Sequence, residues 1–102
     1  MTGSTVGYYD SVGMALEILS HSPYHKRFRV GEFLEDAILP PLFHHQAHFQ
    51  VDEQGEPVAL VTWAWVTEGV ERELHATGRS LRFEEWRCGS RLFFNDWITP
   101  FG

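Results

Sequence analysis

With 102 residues, 43% of them apolar and 15% aromatic, the chain has the make-up of a single folded domain with a modest core and not of a disordered tract. Eight basic against fourteen acidic side chains leave a formal charge of −6, which repels phosphate backbones and argues against nucleic acid as a partner. The lone Cys88 excludes an internal disulfide framework and fits a reducing compartment. No apolar run approaches the roughly 18 residues of a membrane span, and the N-terminus lacks the basic-then-apolar layout of a secretion signal, so a cytoplasmic protein is expected.

Residues 1–8 read as a mobile lead-in. Val12, Met14, Ala15, Ile18 and Leu19 follow a three-four spacing that predicts a first helix over 9–20. His21-Ser22-Pro23 ends it, because proline disfavours helical geometry in the residue before it. His25 therefore falls on a loop just beyond a helix, where a side chain can reach a cleft. Val30, Phe33, Leu34, Ala37, Ile38 and Leu42 mark one face of a second helix, expected to stop near Pro40-Pro41.

Two β-prone runs, Ala47–Val51 and Pro57–Val66, flank the polar turn Asp52-Glu53-Gln54-Gly55-Glu56 and predict a hairpin. Thr67 is placed to cap a short charged helix. Residues 80–86 read as a connector anchored by Leu81 and Phe83, and residues 92–98 as a third strand. The order helix, helix, strand, strand, helix, strand predicts an α+β fold, an antiparallel sheet flanked by helices, in one domain spanning 1–102.

Asp96 stands inside the aromatic third strand, and an ionised carboxylate there needs a partner. The candidate is His25, far upstream in Ser22-Pro23-Tyr24-His25-Lys26: a histidine with an aspartate to orient it is the minimum equipment for general-base catalysis. Pairing of Asp96 with Arg91, as a plain ion pair, or capping of a backbone turn is the competing reading. His44-His45-Gln46-Ala47-His48 is a rival constellation. On a helix His44 and His48 would share a face suited to zinc, but no glutamate follows the first histidine as in the zincin pattern, and no thiol or carboxylate is adjacent. Entering a strand, His44, Gln46 and His48 would point one way and His45 the other. Cys88, between Arg87 and Arg91, is a candidate thioester nucleophile or an inert loop cysteine. Of the aromatics Trp63, Trp65, Trp86, Phe93, Phe94, Trp97 and Phe101, most are expected in the core and some along an apolar groove.

Several separated motifs resemble one family. Ser22-Pro23-Tyr24-His25 is similar to the Ser-Pro-x-His segment of the toxin-activating lysine acyltransferases, and Ala37-Ile38-Leu39-Pro40-Pro41-Leu42 to their Ile-Leu-Pro-Ala-Leu turn. A further match opens at Gln46. Gly55-Glu56-Pro57-Val58 and Thr62-Trp63-Ala64 resemble a Gly-x-Pro-Val turn and a Ser-Trp-Ala strand. Asp96-Trp97-Ile98-Thr99-Pro100-Phe101-Gly102 matches Asp-Trp-Ile-Ala-Pro-Phe-Gly, with Thr99 in place of the usual alanine. These enzymes move a fatty acyl group from acyl carrier protein to lysines of RTX protoxins.

The resemblance implies a partial acetyltransferase-like (GNAT-like) fold, His25 as catalytic base, Asp96 as its partner, Ser22 as a contributor, and an acyl-carrier-protein thioester as donor with no bound cofactor or metal. A lysine near pKa ~10.4 must lose a proton to attack, and an imidazole near ~6.5 is suited to take it. Negative charge on the thioester carbonyl oxygen then calls for a donor, a backbone N–H or a hydroxyl such as that of Ser22. Acyl carrier proteins are acidic, so docking requires the fold to gather Lys26, Arg27 and Arg29, or Arg79, Arg82, Arg87 and Arg91, into a patch. Family members usually continue well past Pro-Phe-Gly. A chain stopping at Gly102 would leave the last strand as an edge, from which a homodimer is expected, and the alternative to an enzyme is a shortened, silent relative acting as a dimeric binding or regulatory module.

Overall fold

The computed structural model describes residues 4–101. Helix α1 (Ser4–Ser20) leads by a 3₁₀ turn at His25–Arg27 to a second helical segment, then to strands β1 (Ala47–Val51) and β2 (Pro57–Val66). A further helix, a 3₁₀ turn at Phe83–Glu85 and strand β3 (Arg91–Ile98) complete the chain. The architecture is the expected α+β. The first helix begins at Ser4, earlier than the apolar spacing indicates; of the lead-in, residues 1–3 lie outside the described residues.

The second helical segment is not ended by its prolines. It comprises α2 (Val30–Phe33), a wider π-helical stretch at Leu34–Ile38, and α3 (Leu39–Phe43), with the prolines in the first turn of α3. Pro40 and Pro41 have no N–H to donate, and a ring inside a helix crowds the carbonyl a turn earlier, so the chain widens before them and restarts where a missing N–H costs least. The segment stops instead at His44 and His45, the latter at φ 58°.

The sheet is antiparallel, in the order β1-β2-β3. The hairpin turn is tied by Asp52, whose Oδ1 accepts the N–H groups of Gln54 and Glu56, each at 2.9 Å, and Gly55 supplies the positive φ that the turn demands. On β2 the alternate residues Leu60, Thr62, Ala64 and Val66 are all buried, as a period-two strand with one covered face requires. Leu60 and Ile98 pack with Ala15, Ile18 and Leu19 of α1 and with Ile38 and Leu42. Ala64 and Val66 pack with Trp86, Leu81 and Leu74. Leu74 belongs to α4 (Glu68–Thr77), capped by Thr67 Oγ1 accepting from the Val70 N–H at 3.1 Å and closed by Gly78 at φ 69°.

The helices pack against one face of the sheet. Trp65, Leu92, Phe94 and Trp97 stand exposed on the other face, so of the strand aromatics expected in the core, few are there, while Trp86 is fully buried. Gln46 joins the layers: its buried amide donates to the carbonyls of Trp63 and Trp86, both at 3.0 Å.

Two local features carry stability. Arg79 forms a fork to Glu85 at 2.8 and 2.9 Å, and the same carboxylate accepts the Arg82 N–H at 2.8 Å. The Arg79 hydrogen bonds, chiefly, hold the Glu85 carboxyl down at about 2, from an ordinary 4.5. A carboxyl with a depressed folded-state pKa stabilises the fold above its unfolded value and loses that contribution as pH falls through the folded one. Wild type should therefore lose melting temperature between pH 4.5 and about 2 more steeply than Glu85→Gln, measured by thermal denaturation; parallel curves would contradict this. Gly89 lies against the backbone of Val66 and Thr67, where an added Cβ would collide with main-chain atoms, and its N–H donates to the Trp65 carbonyl at 3.0 Å. Gly89→Ala should cost about 1–3 kcal/mol, read as a lower urea midpoint.

Candidate active site

Ser22, His25 and Asp96 come together although His25 and Asp96 are 71 positions apart. Pro23 follows the end of α1 and turns the chain away from the helix axis. The His21 and Ser22 N–H groups still bond back to Ile18 and Leu19 carbonyls at 3.1 Å each, which seats the turn firmly on the helix end. In the 3₁₀ turn, the Lys26 N–H returns to the Ser22 carbonyl at 2.9 Å, fixing His25 over Ser22.

The imidazole bridges two oxygens. Its Nδ1 lies 2.6 Å from Ser22 Oγ, and its Nε2 lies 3.3 Å from Asp96 Oδ1. Ser22 Oγ also accepts the His25 N–H at 3.3 Å. The ring is sandwiched by aromatics: Tyr24 meets it edge-on at 5.0 Å and Phe33 at 5.6 Å, with Phe28 tilted against it at 6.0 Å. The His25 and Asp96 side chains are only 10% and 17% exposed, which strengthens their interaction by keeping water away.

Asp96 owes its direction to a bulge in β3. Thr62 faces Asp96 while the next residue of β2, Trp63, faces Phe94, so Asn95 is the extra residue. A bulge bends the strand and re-aims its side chains. Here the Asp96 N–H donates to buried Thr62 Oγ1 at 3.2 Å, and Asn95 Nδ2 donates to Asp96 Oδ2 at 3.2 Å. Each carboxylate oxygen has a donor, one from His25 and one from Asn95. Thr62 and Asn95 carry no chemical signature in the sequence; only the register reveals them. Two adjacent polar residues in an otherwise aromatic strand were the available hint of a bulge.

The competing readings resolve differently. Arg91 pairs with Glu71 at 2.8 Å and not with Asp96. His44 is half-buried against Phe43 and Phe83, and that burial, followed by the Arg87 charge, pushes its pKa down. Gln46 is buried and His48 exposed, and the left-handed turn at His45 stands between His44 and both of them. Among the described residues no three His, Cys, Asp or Glu side chains form a metal-holding group. Cys88 is exposed. Of the two basic sets, Arg79, Arg82 and Arg91 are engaged by Glu85 and Glu71 and Arg29 by Glu32, whereas Lys26, Arg27 and Arg87 have no carboxylate partner among the described residues. No helix is long and apolar enough to cross a membrane, again among the described residues.

Burial raises the Asp96 carboxyl above the ordinary aspartate range, with the His25 hydrogen bond and charge opposing. A raised folded-state pKa means that the contribution to stability is full below the unfolded value and is lost as pH rises through the folded one. Asp96→Asn cannot ionise. Its melting temperature relative to wild type should therefore climb as pH is raised from 3.8 toward neutrality; a difference independent of pH would show that the carboxylate carries no burial penalty.

A model of the RTX toxin acyltransferase family matches residues 6–102. The lysine-acyltransferase RtxC of Vibrio cholerae is 35% identical over 91 residues, covering 89% of this chain and 59% of its own length. An RTX-III toxin-activating lysine-acyltransferase of Actinobacillus pleuropneumoniae is 33% identical, covering 92% and 53%. The protein-lysine myristoyltransferase RtxC of Kingella kingae is 28% identical, covering 92% and 55%. The chain therefore spans somewhat more than half the length of these relatives.

Proposed function

Because the chain belongs to the RTX toxin acyltransferase family, we propose that it provides the proton-transfer site of a protein-lysine acyltransferase, with His25 as general base and Asp96 as its partner. The observation that carries this reading is the 3.3 Å contact between His25 and Asp96, made from opposite ends of the sequence within a shielded cleft. The donor is an acyl thioester on acyl carrier protein, the acceptor a lysine of an RTX toxin-like protein, and the reaction is cytoplasmic because its donor is.

The amine nitrogen attacks the thioester carbonyl carbon, a C–N bond forms and the C–S bond breaks. The proton lost by the amine passes to the His25 imidazole and from there to the departing thiolate, so the enzyme ends as it began. Whichever ring nitrogen accepts the proton, the resulting imidazolium has an oxygen at each N–H, Ser22 Oγ on one side and Asp96 Oδ1 on the other. That arrangement stabilises the charged ring without any side-chain movement. The hydrogen bonds from Asn95 and from the Asp96 N–H to Thr62 keep the carboxylate facing the ring. Ser22, buried at 6% exposure, holds the imidazole in place. No cofactor is required, since thioester and amine already contain every atom that is transferred.

Intact-mass detection of acyl transfer from acyl carrier protein thioesters to a lysine-bearing acceptor tests the proposal. Wild type should acylate the acceptor, and His25→Ala should lower the rate by at least about 100-fold, the lower end of what a general base contributes. Asp96→Asn should lower kcat more than it raises KM. A folded wild type that transfers no acyl group to any acceptor would instead favour a silent binding module.

A further inference from the structure

Ser22 Oγ stands between two nitrogens of one residue. The His25 main-chain N–H donates to it at 3.3 Å, and the His25 ring Nδ1 lies 2.6 Å away. A main-chain N–H can only donate, so that bond occupies one of the two lone pairs of the oxygen. The ring contact can then take two forms. Either the hydroxyl donates to a bare Nδ1, or Nδ1 carries a hydrogen and donates to Oγ. In the second form both lone pairs are filled, and the hydroxyl hydrogen has no acceptor among the described residues. Ser22 is only 6% exposed, and a buried donor without an acceptor gives up its hydration for nothing. The first form satisfies every group.

The far side of the ring agrees. Asp96 Oδ1 lies 3.3 Å from Nε2, while Asp96 Oδ2 accepts from Asn95 Nδ2 at 3.2 Å. A carboxylate accepts at both oxygens and donates at neither, which calls for a hydrogen on Nε2 and leaves the lone pair on Nδ1.

We propose that resting His25 is the neutral tautomer with its hydrogen on Nε2, and that Ser22 is the positioning residue that selects this tautomer and gates the entry of a proton at Nδ1. Asp96 holds the hydrogen already on the ring, and Ser22 covers the lone pair that is to receive another. Which imidazole nitrogen carries the hydrogen is set by the partner of the other, and here both partners choose alike. For the ring to become charged, the Ser22 hydroxyl turns from donor to acceptor by rotation about one bond. The gate rests on the acyltransferase reading above; the tautomer does not.

Nitrogen-15 NMR of the protein labelled in its histidine rings tests the assignment, because bare and hydrogen-bearing ring nitrogens resonate far apart. Spectra are taken well above the ordinary imidazole pKa near ~6.5, with the His25 signals identified by their loss in His25→Gln. Wild type should show a hydrogen on Nε2 and a bare Nδ1; the reverse, or an even mixture, would overturn the tautomer with no substitution at Ser22 needed. Asp96→Asn, whose amide can donate or accept, should keep the same tautomer while Ser22 is present. Combining Ser22→Ala with Asp96→Asn should give a mixture, and Ser22→Thr with Asp96→Asn, which restores a hydroxyl, should return to one form. A hydrogen moved to Nδ1 by Asp96→Asn alone, or one that stays on Nε2 in the alanine double variant, would show that Ser22 does not select. In acyl transfer, Ser22→Ala should lower kcat about tenfold, less than loss of the base itself, with KM little changed, and Ser22→Thr should recover most of the rate. A Ser22→Ala protein as fast as wild type would overturn the gate. Folded wild type with the Nε2 hydrogen but no acyl transfer would overturn the acyltransferase reading and leave the tautomer standing; transfer by a ring with its hydrogen on Nδ1 would do the reverse.

Discussion

The contact between His25 and Asp96 joins a turn at the end of the first helix to the last strand, and the surrounding structure is arranged to hold both sides of it. A carboxylate removed from water is costly unless charge or hydrogen bonds compensate. Asp96 receives one donor from the His25 ring, one from Asn95, and main-chain support through Thr62. The compensation is local and complete at both oxygens, yet burial still holds the carboxyl above its ordinary range.

The fold earns this geometry through two irregularities. The β-bulge at Asn95 turns two successive side chains of β3 toward the cleft, where a regular strand would send one of them to the opposite face. The widened helix before Pro40 and Pro41 lets one helical segment carry Phe33 against His25 and still deliver Ile38 and Leu42 to the core. Both irregularities sit where function is proposed, a placement typical of bulges and π-turns.

Charge is partitioned in the same spirit. Arginines near α4 and the following turn are bound by neighbouring carboxylates and act as structural ties, fastening the connector before β3. Near His25, Arg29 pairs with Glu32 and Arg27 lies over the Tyr24 ring, while Lys26 has no carboxylate partner among the described residues. An acidic chain can therefore hold locally unpaired basic side chains without a basic surface overall.

Apolar periodicity and turn chemistry were enough to determine the order of elements, the hairpin and its glycine turn, the Thr67 cap and the α+β class, because these depend on interactions within a few residues. The motifs around His25 and Asp96 marked both residues in the sequence, and the need to compensate a carboxylate in an aromatic strand suggested that they meet. The rest depends on pairing partners distant in sequence. Whether Pro40-Pro41 ends a helix or restarts one is set by the packing of Ile38 and Leu42 against the sheet. Which strand aromatics are buried follows from having helices on one face only. Thr62 and Asn95 gain their place from register. Local rules act through neighbours along the chain, whereas a site is made by neighbours in space, and only the tertiary fold chooses those.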